Sequence, residues 1–333
     1  MQKLLVVHTG GTIGMTRHSG AWVPTDEGRA LVETSVARFS DQSGIDVAFR
    51  VATRQFDSSQ ARPEYWVALA REIRGLASDH CGVVLIHGTD TLSYAAAMLS
   101  FLLIGLDKPL VVTGSQRPLS LEGSDAGRNL QDALTVVTEL EPGEIMVSFG
   151  GLVLVAERVR KTSSKSDQAF STPGTRTVGK VSGGVFQRFD KRSSLSGRAP
   201  LKIDANKRPR LTSLVASPIL DLPTMDGIAA SKPSGLILEL YGLGTIPVHE
   251  RGMLEKLRRM TASGMRILAI SQCCDGGLEL STYPSGRALL DQGVIDGKTL
   301  TRSAAVAKLW CALAEADEAP PHLIASRWRG EID

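Results

Sequence analysis

Short β-branched apolar runs at 4–8, 47–52, 82–87, 109–113 and 144–149 alternate with longer stretches near 27–39, 63–77, 91–105 and 124–139, where apolar positions recur at helical spacing. That alternation predicts an α/β fold built on a parallel sheet. The helix near 63 carries its own start signal: Pro63 suits a first turn, where a missing N–H costs nothing, and Tyr65, Trp66, Leu69 and Ile73 recur at helical spacing. The stretch 91–105 is apolar nearly all round, which predicts a helix sandwiched between layers. From Asp190 to Arg210 the periodicity gives way to Lys, Arg, Ser, Gly and Pro, the composition of an interdomain crossing. Strands near 211–216, 235–240 and 266–271 and helices near 249–263 and 302–315 then resume the rhythm. The expected organisation is a larger N-terminal parallel-sheet domain over 1–189, a linker over 190–210 and a smaller C-terminal α/β domain over 211–333.

A chain of 333 residues buries enough core for two such domains. Its net charge of +3 is spread along the sequence, with no basic run interleaved with aromatics, so a nucleic-acid partner is not implied. A small-molecule ligand fits better. Leu4 to His8 is too short for a secretory h-region, and the richest apolar stretch, Ala95 to Leu106, falls short of a membrane span and contains Ser100. A cytoplasmic protein with no membrane partner is expected. Four cysteines, two of them adjacent at Cys273 and Cys274, do not make a disulfide framework, and six scattered histidines show no metal-binding spacing. Neither a metal nor a cofactor is expected.

Candidate chemistry gathers where strands end. The first strand runs into Thr9-Gly10-Gly11-Thr12-Ile13-Gly14, glycines that let backbone approach a ligand at the carboxyl end of a parallel strand. A phosphate loop should open a helix there, whereas Met15 to Asp26 is polar, holds Gly20 and Pro24 and lacks apolar periodicity, so it reads as a mobile flap. The third strand runs into His87-Gly88-Thr89-Asp90-Thr91, which places a hydroxyl and a carboxylate beside a helix start, either for anion chemistry or simply as helix caps. His87 reads as a satisfied core residue. Asp57-Ser58-Ser59-Gln60 offers hydroxyls and N–H groups to a carboxylate or an amine, or forms a capped turn. Thr113-Gly114-Ser115-Gln116-Arg117-Pro118 closes the next strand, with Ser124-Asp125 as an ordinary cap for the helix that follows. Within the basic run 158–165, Lys161 or Lys165 would suit a desolvated base for a threonine nucleophile, and Thr, Lys and Asp together would make a proton-transfer triad.

These segments, in this order, resemble the bacterial-type L-asparaginases along nearly the whole chain, and within them the cytoplasmic type I branch. Thr9 to Gly14, Val84 to Leu92 and Val112 to Pro118 carry most of the resemblance; Asp57 to Ser59 before Pro63, and Ser271-Gln272-Cys273 through Tyr283, add to it. The resemblance implies hydrolysis of the L-asparagine side-chain amide to L-aspartate and ammonia. It makes Thr12 the acyl-accepting nucleophile, with Thr89, Asp90 and Lys161 as the relay. Lys161 is preferred to Lys165 because the family's lysine precedes the Phe of an Ala-Phe or Thr-Phe pair by nine positions, and that pair is Ala169-Phe170 here. Ser58, with Ser59 beside it, would bind the substrate α-carboxylate and Asp90 its α-amino group. Ser115 would line the amide pocket, backbone N–H groups of Gly11 and Thr89 would hold the oxyanion, and Gly88 would belong to the substrate-binding set. A homodimer or homotetramer is implied as well.

Two positions depart from the family. Its flap tyrosine is absent from Gly20-Ala21-Trp22-Val23-Pro24, and the indole of Trp22 only donates. Asp26 or Glu27, or Thr89 with Lys161, would then have to take the first proton. Thr245 stands where the family commonly carries an asparagine that reaches the partner subunit's site. Rival readings are an amidase for glutamine, a D-amino acid or a small peptide amide, and a catalytically weakened amino-acid binder.

Overall fold

The computed structural model describes residues 3–174, 177–190, 198–204, 206–247 and 252–333. The chain divides into two compact units, Met1–Pro200 and Leu201–Asp333. Of the expected linker 190–210, residues 191–197 and 205 lie outside the described residues, as do the first residues, 249–251, of the helix expected at 249–263.

In the first unit the elements are β1 (Lys3–His8), the hairpin β2 (Met15–His18) and β3 (Ala21–Pro24), α1 (Asp26–Ser43), β4 (Asp46–Val51), α2 (Pro63–Leu76), β5 (Gly82–Ile86), α3 (Leu92–Leu102) and β6 (Leu110–Thr113). They continue with α4 (Ala126–Val137), β7 (Ile145–Phe149), β8 (Leu152–Val155), the short strands β9 (Arg160–Lys161) and β10 (Phe170–Ser171), β11 (Gly179–Ser182) and β12 (Val185–Arg188). One eight-stranded sheet has the order β12-β11-β8-β7-β6-β5-β1-β4. Its five strands β4, β1, β5, β6 and β7 run parallel, as the alternation predicts. The remaining three add an antiparallel edge. The cause is local: Gly150-Gly151 and Gly183-Gly184 both have positive φ at both residues, the two-residue turn that folds a strand straight back on its neighbour. Buried residues of β1, β5 and β6 pack against Leu130, Ala133, Leu134 and Val137 of α4. On α3 every residue except Tyr94 is buried, in agreement with the sandwiched helix expected there.

The stretch 15–24, expected as an irregular flap, is a two-stranded hairpin with Arg17 opposite Trp22. Its alternation is too short to register as a strand pattern, and the turn at Ser19 and Gly20, both with positive φ, closes it. Thr25 caps α1 through a bond from the Gly28 N–H, and its hydroxyl also meets that of Thr16, which fastens the hairpin base to the helix.

In the second unit, β13 (Leu211–Val215), β14 (Gly235–Leu240), β15 (Arg266–Ser271) and β16 (Ile295–Asp296) form a parallel sheet in that order. Helices α5 (Leu222–Ser231), α6 (Met253–Ala262), α7 (Pro284–Asp291), α8 (Arg302–Glu315) and α9 (Pro321–Ala325) complete it. Thr245 lies in a tight turn, its carbonyl accepting from the Tyr241 N–H. Among the described residues, no helix is long and apolar enough to cross a membrane.

Two buried polar features carry stability. Lys308 of α8 and Glu331, both fully buried, pair at 2.6 Å. Glu331 also accepts from the N–H groups of Trp328 and Arg329, so the C-terminal segment is fixed by a charge that has no water to return to. His8 and His87 close β1 and β5, and burial pushes both imidazoles down from 6.5 to about 4. Both are therefore neutral when folded.

Lys308→Met is expected to destabilise the unit by about 3–5 kcal/mol in chemical denaturation, because it strands Glu331. The double variant Lys308→Met/Glu331→Gln should recover more than half of that; no recovery would contradict a charge-pairing origin. The unfolded chain binds the histidine protons below pH 6.5, so stability is full above that pH and declines toward pH 4, by at most about 1.4 kcal/mol per pH unit for each histidine. His8→Leu should flatten that acid-side decline, measured as denaturation midpoints at pH 7.5 and 5; an unaltered slope would contradict it.

Candidate active site

The carboxyl ends of β1, β5 and β6 lie side by side, and the loop after β4 joins them through the Phe56 N–H, which donates to the Thr9 carbonyl at 3.2 Å. At their meeting point backbone touches backbone. Gly11 has φ +96, and a Cβ there would lie 2.6 Å from the Gly88 Cα. A Cβ on Gly88 would in turn lie 2.5 Å from the Ser58 Oγ. Only glycine at both positions lets these three loops converge. Thr12 follows directly, half-buried and opening a 3-10 turn over Thr12–Gly14. Ser58 is buried, and its carbonyl accepts from the Thr91 hydroxyl at 2.8 Å.

Thr89 and Asp90, which local sequence leaves open between caps and chemistry, do not cap α3; the residue at the cap position is Thr91, whose hydroxyl is committed to Ser58. Instead the Lys161 Nζ donates to the Thr89 Oγ1 at 2.9 Å and to the Asp90 Oδ1 at 2.9 Å. Thr89 is buried, Lys161 half-buried and Asp90 exposed, so the ammonium bridges from the interior toward solvent. Lys161 reaches this position from β9, paired with Phe170 of β10. Lys165, the other lysine of the run, is exposed in the loop between them.

His87 keeps the structural part assigned to it. The Trp66 indole donates to its Nε2 at 3.3 Å, so Nδ1 carries the proton and donates to the Gly88 carbonyl at 2.8 Å. The ring thus holds the Gly88 peptide in place. Phe56 packs edge-on against His87 and also against Tyr65, linking the substrate-loop segment to the same cluster. Asp57 accepts from the Ser59 N–H at 2.9 Å, the capped-turn arrangement. Ser59 itself is exposed, while its neighbour Ser58 is buried against Gly88.

Ser115 is buried, and among the described residues its hydroxyl has no hydrogen-bond partner. Of Ser124-Asp125, expected as an ordinary helix cap, the Ser124 hydroxyl accepts from the Ala126 N–H at the start of α4 at 3.1 Å, while Asp125 makes no capping bond. Its carboxylate accepts from the N–H groups of Gln116 and Arg117 at 2.8 and 2.9 Å and from the Asn129 amide at 3.0 Å. A strand-end loop with unpaired N–H groups outbids a helix terminus for the carboxylate. Gln116 was not singled out by sequence, yet its Oε1 lies 3.5 Å from the Thr89 Oγ1. Asp26 pairs with Arg29 along the first turn of α1, and Asp26 and Glu27 are both exposed.

Residues 3–193 match the family described as "Asparaginase, N-terminal", and residues 214–321 match "Glutaminase/Asparaginase C-terminal domain". L-asparaginase 1 of Escherichia coli K12 is 29% identical, with 95% of this chain and 93% of that protein covered. The L-asparaginase of Thermococcus kodakarensis is 32% identical, with 93% and 92% covered. The solved thermostable L-asparaginase from Thermococcus kodakarensis superposes with a TM-score of 0.89 at 30% identity, covering 100% of this chain and 99% of that one. L-asparaginase I from Vibrio cholerae gives the same TM-score at 27% identity, with the same coverage. A glycine-gated meeting of strand ends, a lysine bridging threonine and aspartate, and two matched family segments make one conclusion: this chain belongs to the bacterial-type L-asparaginase family of amidohydrolases.

Proposed function

We propose that the protein hydrolyses the side-chain amide of L-asparagine to L-aspartate and ammonia through a threonine acyl-enzyme. The observation that carries this reading is the Lys161 Nζ held at 2.9 Å from both the Thr89 hydroxyl and the Asp90 carboxylate, beside the loop that presents Thr12. A threonine hydroxyl attacks an amide only when a neighbouring group takes its proton, and a lysine–hydroxyl–carboxylate chain supplies that group.

In the first half-reaction Lys161 acts as its neutral amine: the Thr12 Oγ bonds to the amide carbon as its proton passes to the Thr89 oxygen and the Thr89 proton passes to the Lys161 Nζ, and the carbonyl oxygen becomes an oxyanion held by the N–H groups of Gly11 and Thr89. The C–N bond then breaks and the departing nitrogen takes the proton, leaving as ammonia. Water repeats the attack on the ester and frees Thr12. Ser58, beside Gly88, anchors the substrate α-carboxylate, with the Ser59 hydroxyl beside it; Asp90 receives the α-ammonium; the Ser115 hydroxyl faces the amide. Trp22, 41% exposed on β3, closes over the ligand but accepts no proton. Asp26 and Glu27 are exposed, Asp26 paired with Arg29, and we assign the first proton to Thr89 and Lys161 instead. The protein acts in the cytoplasm as a homodimer or homotetramer without metal or cofactor.

The exposed Trp22 supports a second reading, a weakened amino-acid binder on the same scaffold. Binding of asparagine without ammonia release would identify it.

Thr12→Ala and Thr89→Ala are each expected to lower kcat for asparagine by roughly 10³-fold or more, and Lys161→Met by roughly 10²- to 10⁴-fold with little change in KM, measured as ammonia release. Retention of activity in Thr12→Ala would contradict the nucleophile. Trp22→Tyr, which restores a phenol to the hairpin, should raise kcat about tenfold. An unchanged rate would mean that the proton route does not pass through this position.

A further inference from the structure

The segment 116–117 is the most firmly anchored part of the strand-end cluster. Both of its N–H groups bond to Asp125, and Asn129 ties that carboxylate to the Gly114 carbonyl. From this fixed backbone, two successive side chains reach the loop 162–169, which joins β9 to β10 and follows directly on Lys161. Arg117 pairs with Asp167 at 2.8 Å. The Gln116 Nε2 donates to the Ser166 carbonyl at 3.3 Å.

That second bond fixes the amide's orientation, because a carbonyl only accepts and so must face the NH₂ group. The Gln116 Oε1 is left for Thr89, 3.5 Å away, and an amide oxygen can only accept the threonine proton. In the resting site the hydroxyl proton therefore points at Gln116 and a threonine lone pair faces the Lys161 Nζ, which donates to it at 2.9 Å; this holds the Thr89 oxygen in line with Lys161 until proton transfer turns the O–H toward the amine.

We infer that Gln116 is a positioning residue for the relay: its amide oxygen sets the direction of the Thr89 hydroxyl, and its amide nitrogen ties down the loop that begins beside Lys161. This rests on the amidohydrolase reading above for its kinetic consequence, though not for the loop contact. Arg117 shares only the loop contact. Its ion pair, with a partner half exposed to water, contributes little on its own.

The test compares Gln116→Met, Gln116→Glu and Arg117→Met in the full-length protein, with folding checked by thermal denaturation. Gln116→Met removes both contacts at nearly constant shape. It is expected to lower kcat for asparagine about tenfold, the effect of one oriented hydrogen bond, with KM within about twofold. Arg117→Met should lower kcat by less than about threefold. Gln116→Glu keeps an acceptor oxygen for Thr89 and should retain a higher kcat than Gln116→Met. A kcat in Gln116→Met within about threefold of the parent, equal losses in Gln116→Met and Arg117→Met, or a change confined to KM would each overturn the inference. Hydrogen exchange needs no turnover: amides 163–168 should exchange about tenfold faster in Gln116→Met, and unchanged exchange would overturn the loop contact. A parent that releases no ammonia would instead sink the amidohydrolase reading, while the exchange result still decides where Gln116 acts.

Discussion

No side chain fits between Gly11 and Gly88, and the rest of the site depends on that exclusion. Their close approach is what brings the loop after β1 against the loop after β5, and the absence of a Cβ on Gly88 is what lets the Ser58 hydroxyl enter beside them. Parallel strands end at one edge for topological reasons, but strand spacing alone leaves loop ends several ångströms apart. Backbone contact closes that distance and brings together the loops that carry Thr12, Ser58 and Thr89. His87 reinforces it from beneath, because a neutral imidazole held by Trp66 donates to the Gly88 carbonyl. The same burial that pushes His87 down to about 4 keeps it out of proton transfer near neutrality.

The charge arrives from a separate direction. Lys161 comes from the two-stranded ribbon beyond β8, so its contacts with Thr89 and Asp90 join segments more than seventy residues apart. Such a nonlocal contact needs its own scaffolding. The Gly150-Gly151 turn lies at the carboxyl end of β7, β8 runs back antiparallel from it, and the segment after β8 returns Lys161 to the strand ends. Asp125 then spends its carboxylate on the Gln116 and Arg117 amides rather than on its own helix, and those two side chains hold the ribbon's loop.

Much of this was legible in the amino-acid order. Strands with β-branched runs and helices with a Pro or an apolar face stand where the periodicity puts them, because those signals are local. The antiparallel edge and the hairpin over 15–24 were not, since strands of four residues hold too few alternations to separate from loop, although Gly-Gly turns at 150 and 183 were available as markers. At the site, Thr89 and Asp90 were ambiguous between capping and chemistry until Lys161 was seen to claim both. Gln116 lies within the Val112 to Pro118 segment of the resemblance but carried no role of its own: a glutamine after a strand end has no distinctive spacing, and its contacts come from which groups the fold sets around it. The Ser124-Asp125 cap is half realised: Ser124 meets the first N–H of α4, while Asp125 is drawn away by unpaired backbone N–H groups.

The most direct measurement is to trap the covalent intermediate. The parent protein and the Lys161→Met variant would be mixed with L-asparagine, quenched in acid at successive times and digested, and the peptide carrying Thr12 weighed. An aspartyl adduct on Thr12, accumulating in the variant as water attack slows, is the expected result. Steady ammonia release with the Thr12 peptide unmodified at every time in both proteins, or an adduct on a different residue, would contradict the threonine acyl-enzyme.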